Sequence, residues 1–161
     1  YNHFFTSIEN NGRRVIENKL RYENGRYEMD FEDLERKMRD PQNSLMILCN
    51  PHNPTGQTRT KEELMRIAEM AHENHVTVIS DEIHCDLTDP GVGYVPYASV
   101  SQNAKWESIT AIAPTKAFNI AGIQTAAVII PNGQIRGRFE RAAGNDEINE
   151  AGTFAICVFA C

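Results

Sequence analysis

The sequence predicts an α/β fold of three layers (α/β/α), in which a mainly parallel β-sheet lies between helices. Three apolar runs rich in β-branched residues are each bounded by turn residues, a pattern typical of strands covered on both faces. An amphipathic helical pattern separates the first two runs, and strand, helix and strand in this order form a βαβ unit with a right-handed crossover. The runs span residues 44–49, 76–80 and 108–113.

Two helices have clear start signals. Asp30 can cap a helix over 31–38, and Thr60 can cap a helix over 61–75, with Glu63 at the capping-box position. Before the first of these helices, the pattern predicts a loop over 1–8, a turn at Asn11-Gly12, a strand over 14–17 and a turn at Asn24-Gly25. After the strand at 76–80, it predicts an irregular stretch over 87–103 that contains a helical turn at 98–100. The last part of the chain is predicted to form a strand over 125–130, a turn over 131–133, a helix over 134–143 and an apolar tail over 154–160.

Composition and charge exclude several classes of protein. The 161 residues carry a formal net charge of −6, which gives no basic surface for nucleic acid. No apolar run is long enough to span a membrane, and the start of the chain does not resemble a secretion signal. We therefore expect a cytoplasmic protein with no nucleic-acid or membrane partner.

Cysteine and histidine spacing gives no metal or disulfide signature. The four cysteines lack a Cys-x-x-Cys pair, so reduced thiols are expected. His72 and His75 are three residues apart but have no convergent third ligand, and we expect them to be solvated rather than to bind metal.

Three polar residues follow the three strand runs: Asn53, Asp81 and Lys116. The carboxyl ends of parallel strands share one edge of a sheet, where ligands bind in α/β folds, so these side chains can converge on one ligand. A lysine beside a buried strand end loses solvation, which favours the neutral amine as a nucleophile for a carbonyl. The alternative for Lys116 is a solvated surface lysine.

The chemistry of this set fits an aldehyde with a basic ring nitrogen and a phenolic oxygen. Lys116 can condense with the aldehyde, Asp81 can hold the protonated nitrogen, and Asn53 can donate to the phenolate oxygen. Pyridoxal phosphate is the ligand with these groups.

Three motifs carry a family resemblance. The segments Asn-Pro-His-Asn-Pro-Thr-Gly (50–56), Ser-Asp-Glu-Ile-His (80–84) and Ala-Pro-Thr-Lys-Ala-Phe-Asn-Ile-Ala-Gly (113–122) resemble, in order, the cofactor motifs of fold-type I pyridoxal-phosphate enzymes, the aspartate aminotransferase superfamily. The first two are most similar to those of the MalY/PatB branch of carbon–sulfur β-lyases, the cystathionine β-lyases. The resemblance covers residues from about 4 to 154.

The resemblance implies a role for five residues. Lys116 would bond covalently to the cofactor aldehyde, Asp81 would pair with the pyridine nitrogen, and Asn53 would contact the 3′ oxygen. His84 would take the place of a tyrosine that contacts the same oxygen in many aminotransferases, the alternative being a core histidine bonded to backbone. Thr115 would donate to the phosphate.

The resemblance also implies the extent of the domain. Residues 1–161 would form the central part of the cofactor-binding large domain, with the phosphate-binding glycine turn upstream and a small domain carrying the substrate-carboxylate arginine downstream. Where many aminotransferases place a phosphate-binding arginine, this chain has Gln124. The complete protein is expected to be a homodimer.

The implied activity is β-elimination from cystathionine- or cysteine-type amino acids, which yields pyruvate, ammonia and a thiol. A class I/II aminotransferase uses the same residues and remains an alternative. Two alternatives of another class are a pyridoxal-phosphate-sensing regulatory module and an inactive domain fragment.

Overall fold

The computed structural model describes residues 1–148. Within this range six segments form strands, two form 3₁₀ turns and six form α-helices of four to thirteen residues. In chain order the elements are α1 (Asn2–Asn10), β1 (Arg21–Glu23), β2 (Arg26–Glu28), α2 (Phe31–Met38), β3 (Leu45–Cys49), α3 (Lys61–Glu73), β4 (Thr77–Asp81), a 3₁₀ turn (Tyr97–Ser99), α4 (Gln102–Trp106), β5 (Ser108–Ile112), α5 (Pro114–Ala117), a second 3₁₀ turn (Ala121–Ile123), β6 (Ala127–Ile129) and α6 (Gly133–Asn145).

The main sheet has four strands in the order β3-β4-β5-β6. The first two pairings are parallel and the last is antiparallel. In this register Asp81 lies between Cys49 of β3 and Ala111 of β5. A mainly parallel sheet with flanking helices confirms the predicted fold class.

One face of the sheet packs against α2, α3 and α4. Side chains alternate between the two faces of a strand, so Leu48 and Val78 point to this face while Cys49 and Asp81 point to the other. Burying a Leu, Ile or Val side chain stabilises a fold by roughly 1.5–3 kcal/mol. The core on this face contains Leu34, Met38, Leu48, Leu64, Ile67, Ala68, Met70, Ala71, Val76, Val78, Tyr97, Val100 and Ala104.

The predicted helix caps are confirmed. Asp30 accepts a hydrogen bond from the backbone N–H of Asp33 at 3.0 Å. The Thr60 hydroxyl accepts from Glu63 N at 3.2 Å, while the Glu63 carboxylate accepts from Thr60 N at 2.8 Å, which completes a capping box. These bonds satisfy backbone donors that have no partner within the helix.

The first 30 residues contain the two predicted turns, at Asn11-Gly12 and Asn24-Gly25, but differ from the prediction in two other places. The expected loop over 1–8 is instead α1, which has no side-chain cap and therefore gave no start signal. No strand forms over 14–17: Val15 and Ile16 line a cavity of about 530 Å³ between α1 and β3. The extended chain pairs later, as the β1–β2 hairpin around the predicted Asn24-Gly25 turn.

Three later boundaries also differ. Helix α4 lies across the end of the stretch predicted to be irregular, and it is capped by Ser101, which accepts from Ala104 N at 3.0 Å. The predicted helical turn at 98–100 is a 3₁₀ turn displaced by one residue. Asn132, predicted to lie in a turn, is the N-cap of α6. The apolar tail over 154–160 lies outside the described residues.

Within the described range, no helix has the length and apolar character needed to cross a membrane.

Candidate functional site

The candidate site lies at the edge of the sheet where β3, β4 and β5 end. Because these strands are parallel neighbours, their carboxyl ends lie together. Asn53 follows β3, Asp81 is the last residue of β4, and Lys116 follows β5. The topology therefore puts the three predicted residues at one sheet edge.

Asn53 lies in a tightly bonded turn over residues 50–56. The buried Asn50 donates its backbone N–H to Asp81 O at 3.0 Å, and its side-chain oxygen accepts from Arg59 N at 2.9 Å. Gly56, at φ +71°, donates to His52 O at 2.7 Å. A positive φ is accessible to glycine without strain, so this residue allows the chain to reverse beside the sheet edge.

Cys49 connects this turn to the strand. Its Sγ accepts from Asn53 N at 3.4 Å and donates to Pro51 O at 3.4 Å. Burial raises the pKa of the Cys49 thiol, and the nearby Asp81 carboxylate adds to the effect. The thiol is thus protonated and uncharged, and it lies between the Asn53 turn and Asp81.

Asp81 is half-buried, and burial raises the pKa of its carboxyl group above the ordinary value. The Ile83 N–H, which donates to Oδ1 at 3.2 Å, and the nearby His84 act in the opposite direction. Within residues 1–148, Oδ2 accepts no hydrogen bond. A partly desolvated carboxylate with a free oxygen is suited to a cationic partner.

His84 lies in the turn that follows β4 and is half-buried. It is close enough to Asp81 to lower the pKa of that carboxyl group. No residue of the described part of the chain hydrogen-bonds to the His84 ring, so the backbone-bonded core histidine considered above is not seen there.

Lys116 is not on a strand and is not buried. Pro114 begins the short helix α5 immediately after β5, and Lys116, on this helix, is exposed. The expectation that burial desolvates Lys116 is therefore wrong for the described chain, because the residue lies on a helical turn beyond the strand and its side chain is exposed. Thr115 beside it is half-buried. Within residues 1–148, neither side chain forms a hydrogen bond or ion pair.

We did not predict a role for Glu82, which is 1% exposed and lies next to Asp81. Its carboxylate accepts from Ser80 Oγ at 2.7 Å, from Tyr97 N at 3.0 Å and from the Tyr94 hydroxyl. A signal was present in the sequence, since consecutive residues of an extended chain point to opposite faces, and one of two adjacent acids must then face the core.

The fold leads to a family, the aminotransferases of class I and II. The family model matches residues 1–145, and the chain belongs to this family.

The curated proteins that are similar in sequence to this chain include a cystathionine beta-lyase. The chain is 43% identical over 156 residues to cystathionine beta-lyase PatB of Bacillus subtilis (strain 168), a match that covers 97% of this chain and 40% of that protein. It is 32% identical to protein MalY of Escherichia coli (strain K12), again over 97% of this chain and 40% of the relative. The chain thus spans about two fifths of the length of the curated relatives it matches.

A solved structure with the same fold contains the predicted cofactor. Cystalysin from Treponema denticola, whose crystal structure contains pyridoxal 5′-phosphate, superposes with a TM-score of 0.93 at 35% identity. The match covers 96% of this chain and 39% of cystalysin.

Proposed function

We propose that the complete protein binds pyridoxal phosphate at the β3–β4–β5 edge and acts as a carbon–sulfur β-lyase on cystathionine- or cysteine-type amino acids. The observation that carries the proposal is the half-buried Asp81 carboxylate, which ends β4 between the Asn53 turn and the strand leading to Lys116 and has one oxygen without a hydrogen bond in the described part of the chain. The similarity to a named cystathionine beta-lyase over 97% of the chain supports the choice of reaction.

The donor set fits this cofactor group by group. Asp81 would hold the protonated ring nitrogen, and Asn53 and His84 would contact the 3′ oxygen. Thr115 would donate its hydroxyl to the phosphate, and Lys116 would hold the aldehyde carbon through its amine. The exposure of Lys116 leaves its amine accessible to an incoming aldehyde.

The chemistry is divided between the cofactor and the chain. Pyridoxal phosphate, when bound, withdraws the electrons left on the substrate α-carbon after that carbon loses its proton. Lys116, once released from the aldehyde, would accept the α-proton as general base. Asp81 would keep a positive charge on the ring nitrogen by pairing with it. Cleavage of the Cβ–S bond then releases a thiolate, which takes up a proton to become the thiol, and hydrolysis of the aminoacrylate that remains gives pyruvate and ammonia.

Transamination is the second candidate, because the matched family is named for aminotransferases. It would use the same five residues and differ in where the proton is returned. We retain a cofactor-sensing module and an inactive fragment as the outcomes expected if no turnover is found.

The test uses the complete protein and a matched pair of lysine variants. Wild type should show visible absorbance with pyridoxal phosphate, and borohydride reduction should fix the cofactor to the peptide that contains Lys116. Lys116→Ala should abolish this adduct, whereas Lys105→Ala, which alters an exposed lysine on α4, should retain it. An adduct on another lysine would refute the assignment of Lys116.

The reaction is then assigned with two assays run in parallel. Pyruvate formation from cystathionine or cystine measures β-elimination, and amino transfer to an α-keto acid measures transamination. Faster amino transfer than elimination would favour the second candidate.

We further propose that residues 1–161 form the central part of the cofactor-binding domain, and that the complete protein is a cytoplasmic homodimer. The other parts of that protein would supply the phosphate-binding glycine turn and the substrate-carboxylate arginine. Light scattering during size-exclusion chromatography of the complete protein tests the dimer directly.

A further inference from the structure

Glu82 is a buried acid that accepts several hydrogen bonds within the protein. The residue is 1% exposed, and both of its carboxylate oxygens accept hydrogen bonds. Oε1 accepts from Ser80 Oγ at 2.7 Å and from Tyr97 N at 3.0 Å, and Oε2 accepts from the Tyr94 hydroxyl. Burying a carboxylate is unfavourable unless such bonds are made, so this geometry holds the side chain in one orientation.

The three donors come from two parts of the chain. Ser80 belongs to β4, whereas Tyr94 and Tyr97 belong to the segment that crosses the core side of the sheet. Burial and the Glu82 carboxylate raise the pKa of the Tyr94 hydroxyl, which keeps it a proton donor. Glu82 therefore joins the end of β4 to a buried segment behind the sheet.

The peptide group between Asp81 and Glu82 is also held by both neighbouring strands. Glu82 N donates to Ala111 O at 2.9 Å, and Asn50 N donates to Asp81 O at 3.0 Å. The carboxylate of Asp81 has a weaker attachment, which within residues 1–148 is one bond from Ile83 N at 3.2 Å. The direction of the Asp81 side chain thus depends mainly on the orientation of the backbone at residues 81 and 82.

We propose that Glu82 is a positioning residue for Asp81: by holding its own side chain against the core, it keeps the Asp81 carboxylate on the opposite face, directed at the sheet edge. This inference rests on the proposed function, because it assigns Glu82 a role toward the ring nitrogen that Asp81 would hold. Consecutive extended residues point to opposite faces, so a rotation that frees Glu82 also turns Asp81. A displacement of about 1 Å at a reacting group can reduce turnover on the order of 100-fold.

The competing interpretation is that Glu82 only stabilises the core. A purely structural residue would lower the thermal unfolding temperature without changing the cofactor. The test therefore needs a readout on the cofactor ring itself, and the ¹⁵N chemical shift of pyridoxal phosphate labelled at the pyridine nitrogen reports whether that nitrogen is protonated.

The experiment compares variants of the complete protein loaded with the labelled cofactor. Asp81→Asn should shift the ring nitrogen signal to the unprotonated position. Glu82→Ala should shift it in the same direction and lower kcat by about 10- to 100-fold with little change in KM. Ile67→Ala, a core variant in α3 that removes no hydrogen bond from either acid, should lower the unfolding temperature yet leave the ring signal and kcat at wild-type values.

Two milder variants cover the case in which Glu82→Ala does not fold. Glu82→Gln keeps an oxygen that can accept hydrogen bonds from Ser80 and Tyr97, but the amide nitrogen that replaces the second oxygen cannot accept a hydrogen bond from the Tyr94 hydroxyl. Tyr94→Phe removes the same bond from the other side. Each should give a smaller shift of the ring signal in the same direction as Asp81→Asn.

The outcomes separate the two proposals. A ring signal and kcat that stay at wild-type values in the folded Glu82 and Tyr94 variants would overturn the positioning role. A ring signal that does not respond to Asp81→Asn, or a protein that binds no cofactor, would instead overturn the proposed function.

Discussion

Cys49 lies directly opposite Asp81 in the parallel pairing of β3 and β4, and its thiol also accepts the backbone N–H of Asn53 at 3.4 Å. One small side chain therefore contacts the turn that carries one candidate cofactor ligand and adjoins the strand residue that supplies another. This arrangement makes the geometry of the site sensitive to the state of the Cys49 sulfur.

We expect Cys49 to be alkylated much more slowly than Cys85. The thiolate is the reactive form, and Cys49 is 8% exposed with a pKa raised mainly by burial. The pKa of Cys85 is also raised, but Cys85 is only partly buried and can be reached by reagent. Peptide mass spectrometry after timed iodoacetamide treatment measures each rate. In urea the two rates should become similar, and equal rates in the folded protein would contradict the buried position of Cys49.

Replacing Asp81 with Asn should stabilise the cofactor-free protein at neutral pH. Burial raises the pKa of this carboxyl group, so ionising it disfavours the folded state. The wild-type protein is free of this penalty below the ordinary pKa of 3.8 and acquires it as pH rises through the higher folded-state value. Asn retains an oxygen for the Ile83 N–H and does not ionise.

The measurement is the free energy of unfolding of both proteins by urea across this pH range. The advantage of Asp81→Asn should be greatest near pH 7 and should shrink as pH falls toward 3.8. An advantage that is independent of pH would show that the charge of Asp81 is not its source.

Asp81→Asn should have the opposite effect on activity. In the complete enzyme the variant should keep its fold and much of its cofactor affinity, but α-proton removal should slow by roughly 100-fold or more because the ring nitrogen loses its anionic partner. Lys116→Ala should differ, retaining bound substrate that turns over very slowly. Pyruvate and amino-transfer assays measure both variants, and near-normal rates for Asp81→Asn would make the carboxylate purely structural.

Thr60→Ala should reduce the free energy of unfolding by about 1 kcal/mol, the usual contribution of an N-cap. The hydroxyl accepts the Glu63 N–H at the start of α3, and α3 supplies much of the buried core. Urea unfolding of Thr60→Ala is compared with Thr60→Ser, which keeps the hydroxyl and should be close to wild type. Equal losses in both variants would attribute the effect to the methyl group.

Much of the sheet could be predicted from local sequence because its strands are continuous apolar runs that are bounded by turn residues. The capped helices α2 and α3 were equally accessible, since Asp30 and Thr60 carry their start signals in adjacent residues. The segment around Val15 and Ile16 could not be assigned in this way. β-branched residues favour a strand, but a strand also needs a neighbour with unpaired backbone groups, and that information is not local.

The site was predictable in its topology but not in its detail. Parallel strands require Asn53, Asp81 and the Lys116 segment to share an edge, and that follows from the order of the motifs. The exposure of Lys116 depends on the helical turn begun by Pro114, and the bonding of Glu82 depends on tyrosines 12 and 15 residues further along the chain. Such contacts between distant residues leave no spacing pattern that a single sequence can reveal.

The alternation of side chains in β3 and β4 makes the tolerance of these strands to substitution periodic. Even-numbered residues such as Leu48 and Val78 lie in the core, whereas odd-numbered residues lie on the opposite face, and those at the carboxyl ends, Cys49 and Asp81, lie at the candidate site. A saturation library of these strands can be screened separately for cellular abundance and for cofactor binding. Substitutions at even-numbered and odd-numbered positions should then have different effects in the two screens. Changes at even positions would deplete the protein, and changes at Cys49 and Asp81 would leave a better-expressed protein with a defective site.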